Sequence, residues 1–244
     1  MVNMPNPYFQ FKQFTVQQAV NAMKVTTDAC ILGALANEWV RTHGSLFVRG
    51  LDVGAGTGLL SLMLAQDTQL KMDAVEIDLE AAAECAANIH NSPHADRIMV
   101  YAVPIEDFPV VREAYDIIIC NPPFFKSSLP SPDAGINRAR HEDGLSINHL
   151  LKEINVRLQE QGIAFVLMPA NRDETFRASA TQENLHIDTS WYVQHTEHHK
   201  PFRVIYQLIK DEAVEIKRTL IIRDNHNAYT NEMCGLMEPF YLYF

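Results

Sequence analysis

The sequence predicts an α/β fold: one mostly parallel, doubly wound sheet with an antiparallel pair at its edge. Three observations predict it. From residue 45 onward, segments of strand and helix character alternate. A glycine-rich turn joins the first of those strands to the helix after it. Two β-rich runs, 187–194 and 203–209, follow the last helix with no helix between them. Alternation of this kind lines up parallel strands with helices on both faces of the sheet, and a direct step between strands reverses direction.

In chain order, residues 8–16 alternate in part. Phe9, Phe11, Phe14 and Val16 are separated by Gln10, Lys12, Gln13 and Thr15, which reads as an extended segment. Thr27 or Asp28 offers a side-chain oxygen to cap a helix over 29–41. Strands are expected at 45–53, 71–76, 98–103, 115–120 and 162–168, and helices at 58–66, 79–90, 147–159 and 172–184. The irregular stretch 125–143 holds Pro130, Pro132 and Gly135. So long a loop inside a compact domain is usually functional, and it reads as a substrate-facing lid. No repeat or linker divides the chain. Residues 1–244 are expected to form a single domain, with 1–44 as an N-terminal extension on the cofactor and substrate side of a 45–244 core.

The 244 residues are 47% hydrophobic, enough for one substantial core, and the net charge of −10 argues against indiscriminate nucleic-acid binding. A local basic patch on an acidic protein still suits one selective partner. Cys30, Cys85, Cys120 and Cys234 are scattered without a CxxC pair, as expected of reduced thiols in the cytoplasm. There is no basic stretch followed by an apolar leader and no apolar run of bilayer length. His195, His198 and His199 match no common zinc spacing, so no metal is expected. A monomer without membrane attachment is the expectation.

Asp52-x-Gly54-x-Gly56-x-Gly58 falls at a strand-to-helix turn. Glycines let the backbone approach a ligand closely, but the spacing is not that of the dinucleotide fingerprint. An acid at the strand end would repel a pyrophosphate, whereas it suits the ammonium of a methionine moiety. Glu76 closes the next strand, where a carboxylate accepts hydrogen bonds from ribose hydroxyls. Asp107, or Glu106 beside it, is the candidate to meet an adenine amino group, with Phe108 as a packing partner for the ring.

Asn121-Pro122-Pro123-Phe124 ends the apolar run 116–120. An exocyclic amine on an aromatic base is a poor nucleophile because its lone pair is delocalised. The Asn121 side-chain carbonyl and the Pro122 main-chain carbonyl can each accept an N–H bond and so orient that lone pair, which is positioning plus electrostatic stabilisation. The prolines stiffen the turn, and Phe124 offers a face on which a flipped base stacks. The ordered pair of motifs implies S-adenosylmethionine-dependent methylation of an amino group in a flat conjugated system.

These motifs resemble the class I methyltransferases that modify amino groups of nucleic acids and glutamine side chains, whose fold is the Rossmann-like, methyltransferase variant of the doubly wound sheet. More closely, the chain resembles the bacterial tRNA(Val) adenine-N6 methyltransferase family. That resemblance rests on Phe9-x-Phe11-Lys12-Gln13-Phe14, Met23-Lys24-Val25-x-Thr27-Asp28, Leu32-Gly33-Ala34, Ala139-Arg140-His141, Tyr229-Thr230 and Phe240-Tyr241-Leu242. It implies methylation of N6 of adenosine 37, beside the anticodon of a valine tRNA. It also implies Lys12, Gln13, Thr27 and Asp28 near the cofactor, and Arg138 and Arg140 near RNA phosphates. Lys126 is a further RNA-binding candidate, and the 125–143 loop is expected to close on the RNA. Thr26 and Pro104 depart from the family pattern, and the second departure leaves the choice between Glu106 and Asp107 open. The alternatives are methylation of a protein glutamine, methylation of another RNA, and a cofactor-binding RNA chaperone without catalysis. Only about 45 residues precede the first core strand, too few for the helical domain that glutamine methyltransferases commonly carry.

Overall fold

The computed structural model describes residues 6–19, 24–43, 48–110, 114–122 and 146–244. The predicted lid at 125–143 lies outside these residues. A hairpin, β1 (Tyr8–Gln10) and β2 (Thr15–Gln17), precedes α1 (Thr27–His43). Then follow β3 (Arg49–Val53), α2 (Leu59–Ala65), β4 (Lys71–Val75), α3 (Leu79–His90), β5 (Ile98–Tyr101) and β6 (Tyr115–Cys120). The second half holds α4 (Ile147–Arg157), β7 (Leu158–Pro169), α5 (Asp173–Gln182), β8 (His186–Gln194), β9 (Arg203–Ile209), β10 (Ile216–Ile221) and α6 (Asn231–Met237).

Eight strands form one sheet in the order β10-β8-β9-β7-β6-β3-β4-β5. Among these strands β9 alone runs against the rest, pairing antiparallel with both β7 and β8. The expected antiparallel pair is therefore present, but it does not end the sheet: β10 adds outside β8 in parallel. Four exposed residues open β10, among them Lys217 and Arg218, and charge of this kind discourages edge-to-edge pairing.

All six residues of β6 are buried, the mark of a central strand covered on both faces. Its side chains alternate between two cores. Ile117 and Ile119 join the layer of α1, α2 and α3, whereas Ile118 and Cys120 join the layer of α4 and α5. Among the described residues no helix is long and apolar enough to cross a membrane.

Three boundaries depart from expectation. Thr26 caps α1 rather than Thr27 or Asp28: its Oγ1 accepts the Ala29 N–H at 3.4 Å and its carbonyl the Cys30 N–H at 3.0 Å. Strand β7 starts at Leu158, directly after α4, because the backbone there turns extended. Residues 8–16 form a hairpin whose Phe11, Phe14 and Val16 are buried against the helical layer, with Phe11 and Phe14 stacked at 4.7 Å.

Candidate active site

Past β3 the chain turns through Gly54, Gly56 and Gly58 at φ 73°, 55° and 81°. A residue with a side chain pays about 1–2 kcal/mol for that conformation. The Gly54 and Ala55 N–H groups donate to the Val75 carbonyl at 2.9 and 3.0 Å. Glu76 clasps the turn with both oxygens, accepting from the Gly56 N–H at 2.8 Å and the Asp78 N–H at 2.9 Å. The two outer glycines face different surroundings. A Cβ on Gly54 would meet no protein atom within 4 Å, whereas one on Gly58 would stand 2.9 Å from Cys85 Sγ. Gly54 thus borders an open cradle and Gly58 a packed helix. Gly54→Ala is expected to weaken cofactor binding at least tenfold, roughly, at a folding cost near 1 kcal/mol, while Gly58→Ala costs about 2–4 kcal/mol. Calorimetric titration and thermal melts distinguish the two, and equal effects would refute the assignment.

Asp52 is wholly buried under the first turn of α2, where Oδ2 accepts the Ser61 N–H at 3.0 Å and the Ser61 hydroxyl at 2.8 Å. Its Oδ1 is buried without a hydrogen-bond partner. The carboxylate therefore acts from behind the loop rather than by lying open to a ligand, and its orphaned oxygen fits a cation bound in front. Burial pushes its pKa up to about 7, against the opposing Ser61 bonds. The unfolded value is near 3.8, so between about pH 4 and 7 the folded chain holds a proton that the unfolded chain has lost. Asp52 thus makes the cofactor-free protein less stable as pH rises through that window. A bound ammonium favours the charged carboxylate, so binding at pH 6 is expected to release a proton. Titrations in buffers of different ionisation enthalpy read this release, and Asp52→Asn should abolish it.

Asn121 and Pro122 leave the end of β6, the first half-buried and the second buried. Cys120 pairs in register with Val53, so Gly54 and Asn121 emerge from neighbouring strands about 5 Å apart. The connection from β3 proceeds to β4 on one side, and β7 flanks β6 on the other. This is the switch point of the sheet, where open α/β folds bind ligands.

The family model for the methyltransferase small domain matches residues 34–136. The tRNA1(Val) (adenine(37)-N6)-methyltransferase of Cytophaga hutchinsonii is 36% identical over 98% of this chain and 99% of its own length. Its namesake from Parabacteroides distasonis is 37% identical at the same coverage, and that of Pectobacterium carotovorum is 38% identical over 96% and 94%. The chain belongs to this tRNA methyltransferase family. Among solved structures, a predicted O-methyltransferase from Agrobacterium tumefaciens is similar with TM-score 0.64 at 16% identity, covering 88% of this chain and 98% of that one. TYW2 of P. horikoshii in complex with MeSAdo has TM-score 0.57 at 15% identity, covering 84% and 71%. These two likenesses are of fold.

The family resemblance implied Lys12, Gln13, Thr27 and Asp28 near the cofactor, and the structure separates them. Lys12 Nζ donates to Glu238 Oε1 at 2.8 Å and to the Glu238 carbonyl. Gln13 Nε2 donates to Asp67 Oδ1 at 3.4 Å, past the far end of α2 from Gly58. Both are thus engaged with partners outside the glycine turn. Asp28 is buried and receives the Arg203 Nε–H at 2.7 Å, and Thr27 lines a neighbouring cavity with His195 and Phe202. Pro123, Phe124, Lys126, Arg138 and Arg140 lie outside the described residues. In the 104–108 turn Glu106 faces His149 at 3.4 Å, Asp107 is exposed, and Phe108 is buried against Tyr101 at 4.8 Å. Phe108 is thus core rather than a face for adenine.

Three residues around the glycine turn and the 104–108 turn escaped the sequence reading. Ile77, directly after Glu76, is 67% exposed beside the clasp, an apolar surface at the cradle's rim. Asn88 ties the glycine turn to the hairpin: its Nδ2 donates to the Thr57 and Gln17 carbonyls, both at 2.9 Å, and its Oδ1 accepts the Gln17 N–H. Arg157 is 0% exposed and holds the 104–108 turn through the Ile105 and Phe108 carbonyls, both at 2.9 Å. Only Arg157 left a signal, as a charge on the buried stripe that also carries Leu150 and Ile154. Among the described residues no cluster of three or more His, Cys, Asp or Glu side chains could hold a metal.

Proposed function

We propose that the protein methylates N6 of adenosine 37 of tRNA1(Val). The observation that carries this is the emergence of the Gly54 cradle and Asn121 from adjacent strand ends, in a chain whose relatives bear that name along nearly their whole length. S-adenosylmethionine supplies the methyl group as an electrophile on a positively charged sulfur.

Gly54, Gly56 and Glu76 are the residues proposed to hold the cofactor, with Gly58 packing the turn onto α3, Asp52 supplying charge from behind and Asp107 reaching its adenine. At Asn121 the side-chain carbonyl and the following proline carbonyl accept the two N–H bonds of the target amine. That fixes the lone pair towards the methyl group and stabilises the positive charge that grows on nitrogen. With S-adenosylmethionine bound, the new N–C bond would replace its methyl C–S bond, the cofactor being left as the neutral thioether. The surplus proton passes from nitrogen to water, so no strong base is required of the chain.

The test is transfer of labelled methyl to tRNA that lacks its own modifications, followed by nucleoside mass spectrometry. N6-methyladenosine at position 37 of the valine isoacceptor supports the reading. Label found in protein as methylglutamine, with none in tRNA, overturns it.

A further inference from the structure

The sheet edge that carries Gly54 and Asn121 holds a second concavity. Strands β8 and β10 run parallel to β6, so His195 and Arg223, just past their ends, reach the same edge, and β9 starts there at Arg203. His195, Phe202, Arg203, Arg223 and Tyr229 line a cavity of about 470 Å³ together with the start of α1. Pockets of a few hundred cubic ångströms suit a small-molecule-sized group such as one nucleotide. Arg203 lies two strands from β6 and Arg223 follows the strand four away, so the cavity spans roughly 10–20 Å from Asn121 by strand spacing.

Its lining pairs aromatic faces with cations. The exposed His195 ring lies flat on Phe202, with centroids 4.1 Å apart and planes inclined by 4°. The Arg223 guanidinium sits 4.1 Å over the Tyr229 ring and donates to the Asn227 carbonyl at 2.6 Å. Arg203 lies 5.5 Å from the Phe202 ring and is oriented by Asp28. Lys200 is exposed on the same turn. The nearby acids are engaged locally: Asp224 accepts the His226 and Ala228 N–H groups, and Glu197 accepts from Asn225 and faces His198. Aromatic faces alternating with guanidinium groups are the chemistry that binds unpaired bases and their phosphates.

We propose that this cavity is a second nucleotide subsite, in which an unpaired base flanking the target adenosine stacks on the His195–Phe202 pair while Arg203 and Arg223 hold its phosphate. The proposal rests on the tRNA reading above and adds the surface that positions the substrate.

The test compares wild type with His195→Ala, Arg223→Ala and Lys210→Ala, all in the full chain. Lys210 pairs with Glu160 at 3.3 Å just past the other end of β9, so its loss removes a positive charge elsewhere. Both cavity variants are expected to raise the Kd for unmodified tRNA by about 5- to 100-fold, with S-adenosylmethionine affinity and kcat at saturating tRNA unchanged. Arg223→Ala should also reduce the salt slope of binding by about one. His195 is exposed, so its variant decides the matter even where Arg223→Ala loosens the turn its guanidinium pins. Wild-type affinity in both variants, or an equal loss in Lys210→Ala, overturns the subsite. A wild type that methylates no tRNA overturns the function itself, and the two failures are thus separate.

Discussion

Asn121→Ala is expected to lower kcat for methyl transfer by about 100- to 1000-fold, the usual loss when one preorganised hydrogen-bonding group aimed at developing charge is removed. Asn121 stands half-buried directly past the end of a fully buried strand, beside the glycine cradle. Alanine keeps the backbone and the Pro122 carbonyl, leaving one acceptor of two. The KM values for tRNA and S-adenosylmethionine should change little, because the interaction strengthens as nitrogen becomes positive and is weak in the ground state. Asn121→Asp retains an acceptor and should lie between wild type and alanine. Steady-state kinetics with both substrates varied gives the answer, and an unaltered kcat would remove Asn121 from the chemistry.

Arg157→Ala should be the most damaging substitution for folding. The guanidinium is wholly buried, donates to the Ile105 and Phe108 carbonyls and pairs with Glu153. Taking it away leaves two buried carbonyls without their donor and Glu153 with only its His149 contact at 3.3 Å. Removing one partner of a buried ion pair costs about 3–5 kcal/mol, which for a chain of this size lowers the melting temperature by roughly 6–20 °C. Glu153→Gln in the same chain should recover part of the loss, because the uncompensated carboxylate is then gone. Cofactor affinity should fall as well, since Asp107 rides on the turn that Arg157 holds. A melt within a few degrees of wild type would show that the turn holds itself.

Both predictions draw on parts of the chain that differ in how plainly they can be read. Strand β6 and the glycine turn are legible because their signals are local: six successive buried residues in one, three closely spaced glycines in the other. The order of strands and helices through β9 follows for the same reason. Strand β10 is not legible, because an edge strand exposed on both faces has no hydrophobic alternation to detect. Helix α6 is only seven residues long and is announced chiefly by Thr230, whose side chain caps it at the Met233 N–H.

Contacts distant in sequence were the hardest to read. Lys12 and Glu238 are 226 positions apart, and nothing near Lys12 says that it turns towards that partner. Arg203 reaches Asp28 across 175 positions, so Asp28 reads locally as a candidate cap, whereas Thr26 takes that position and Asp28 receives the Arg203 guanidinium. The chemistry of the site was legible in its motifs, whereas its supports, Asn88 and Arg157, depend on which loops the fold brings to them.

The docking of the β1–β2 hairpin has a consequence for the order of events during synthesis. The Lys12 N–H donates to the Phe240 carbonyl at 2.8 Å, and the Phe9 and Phe11 rings lie 5.8 and 6.2 Å from Tyr241. Phe9 and Phe11 meet each other and Phe14 early, but their contact with Tyr241 cannot form until residues 240 and 241 have been made. At about 5–20 residues per second this leaves Phe9 and Phe11 waiting for more than ten seconds. During that interval they are a natural handle for a chaperone, and the last stretch of chain acts as the latch that ends it.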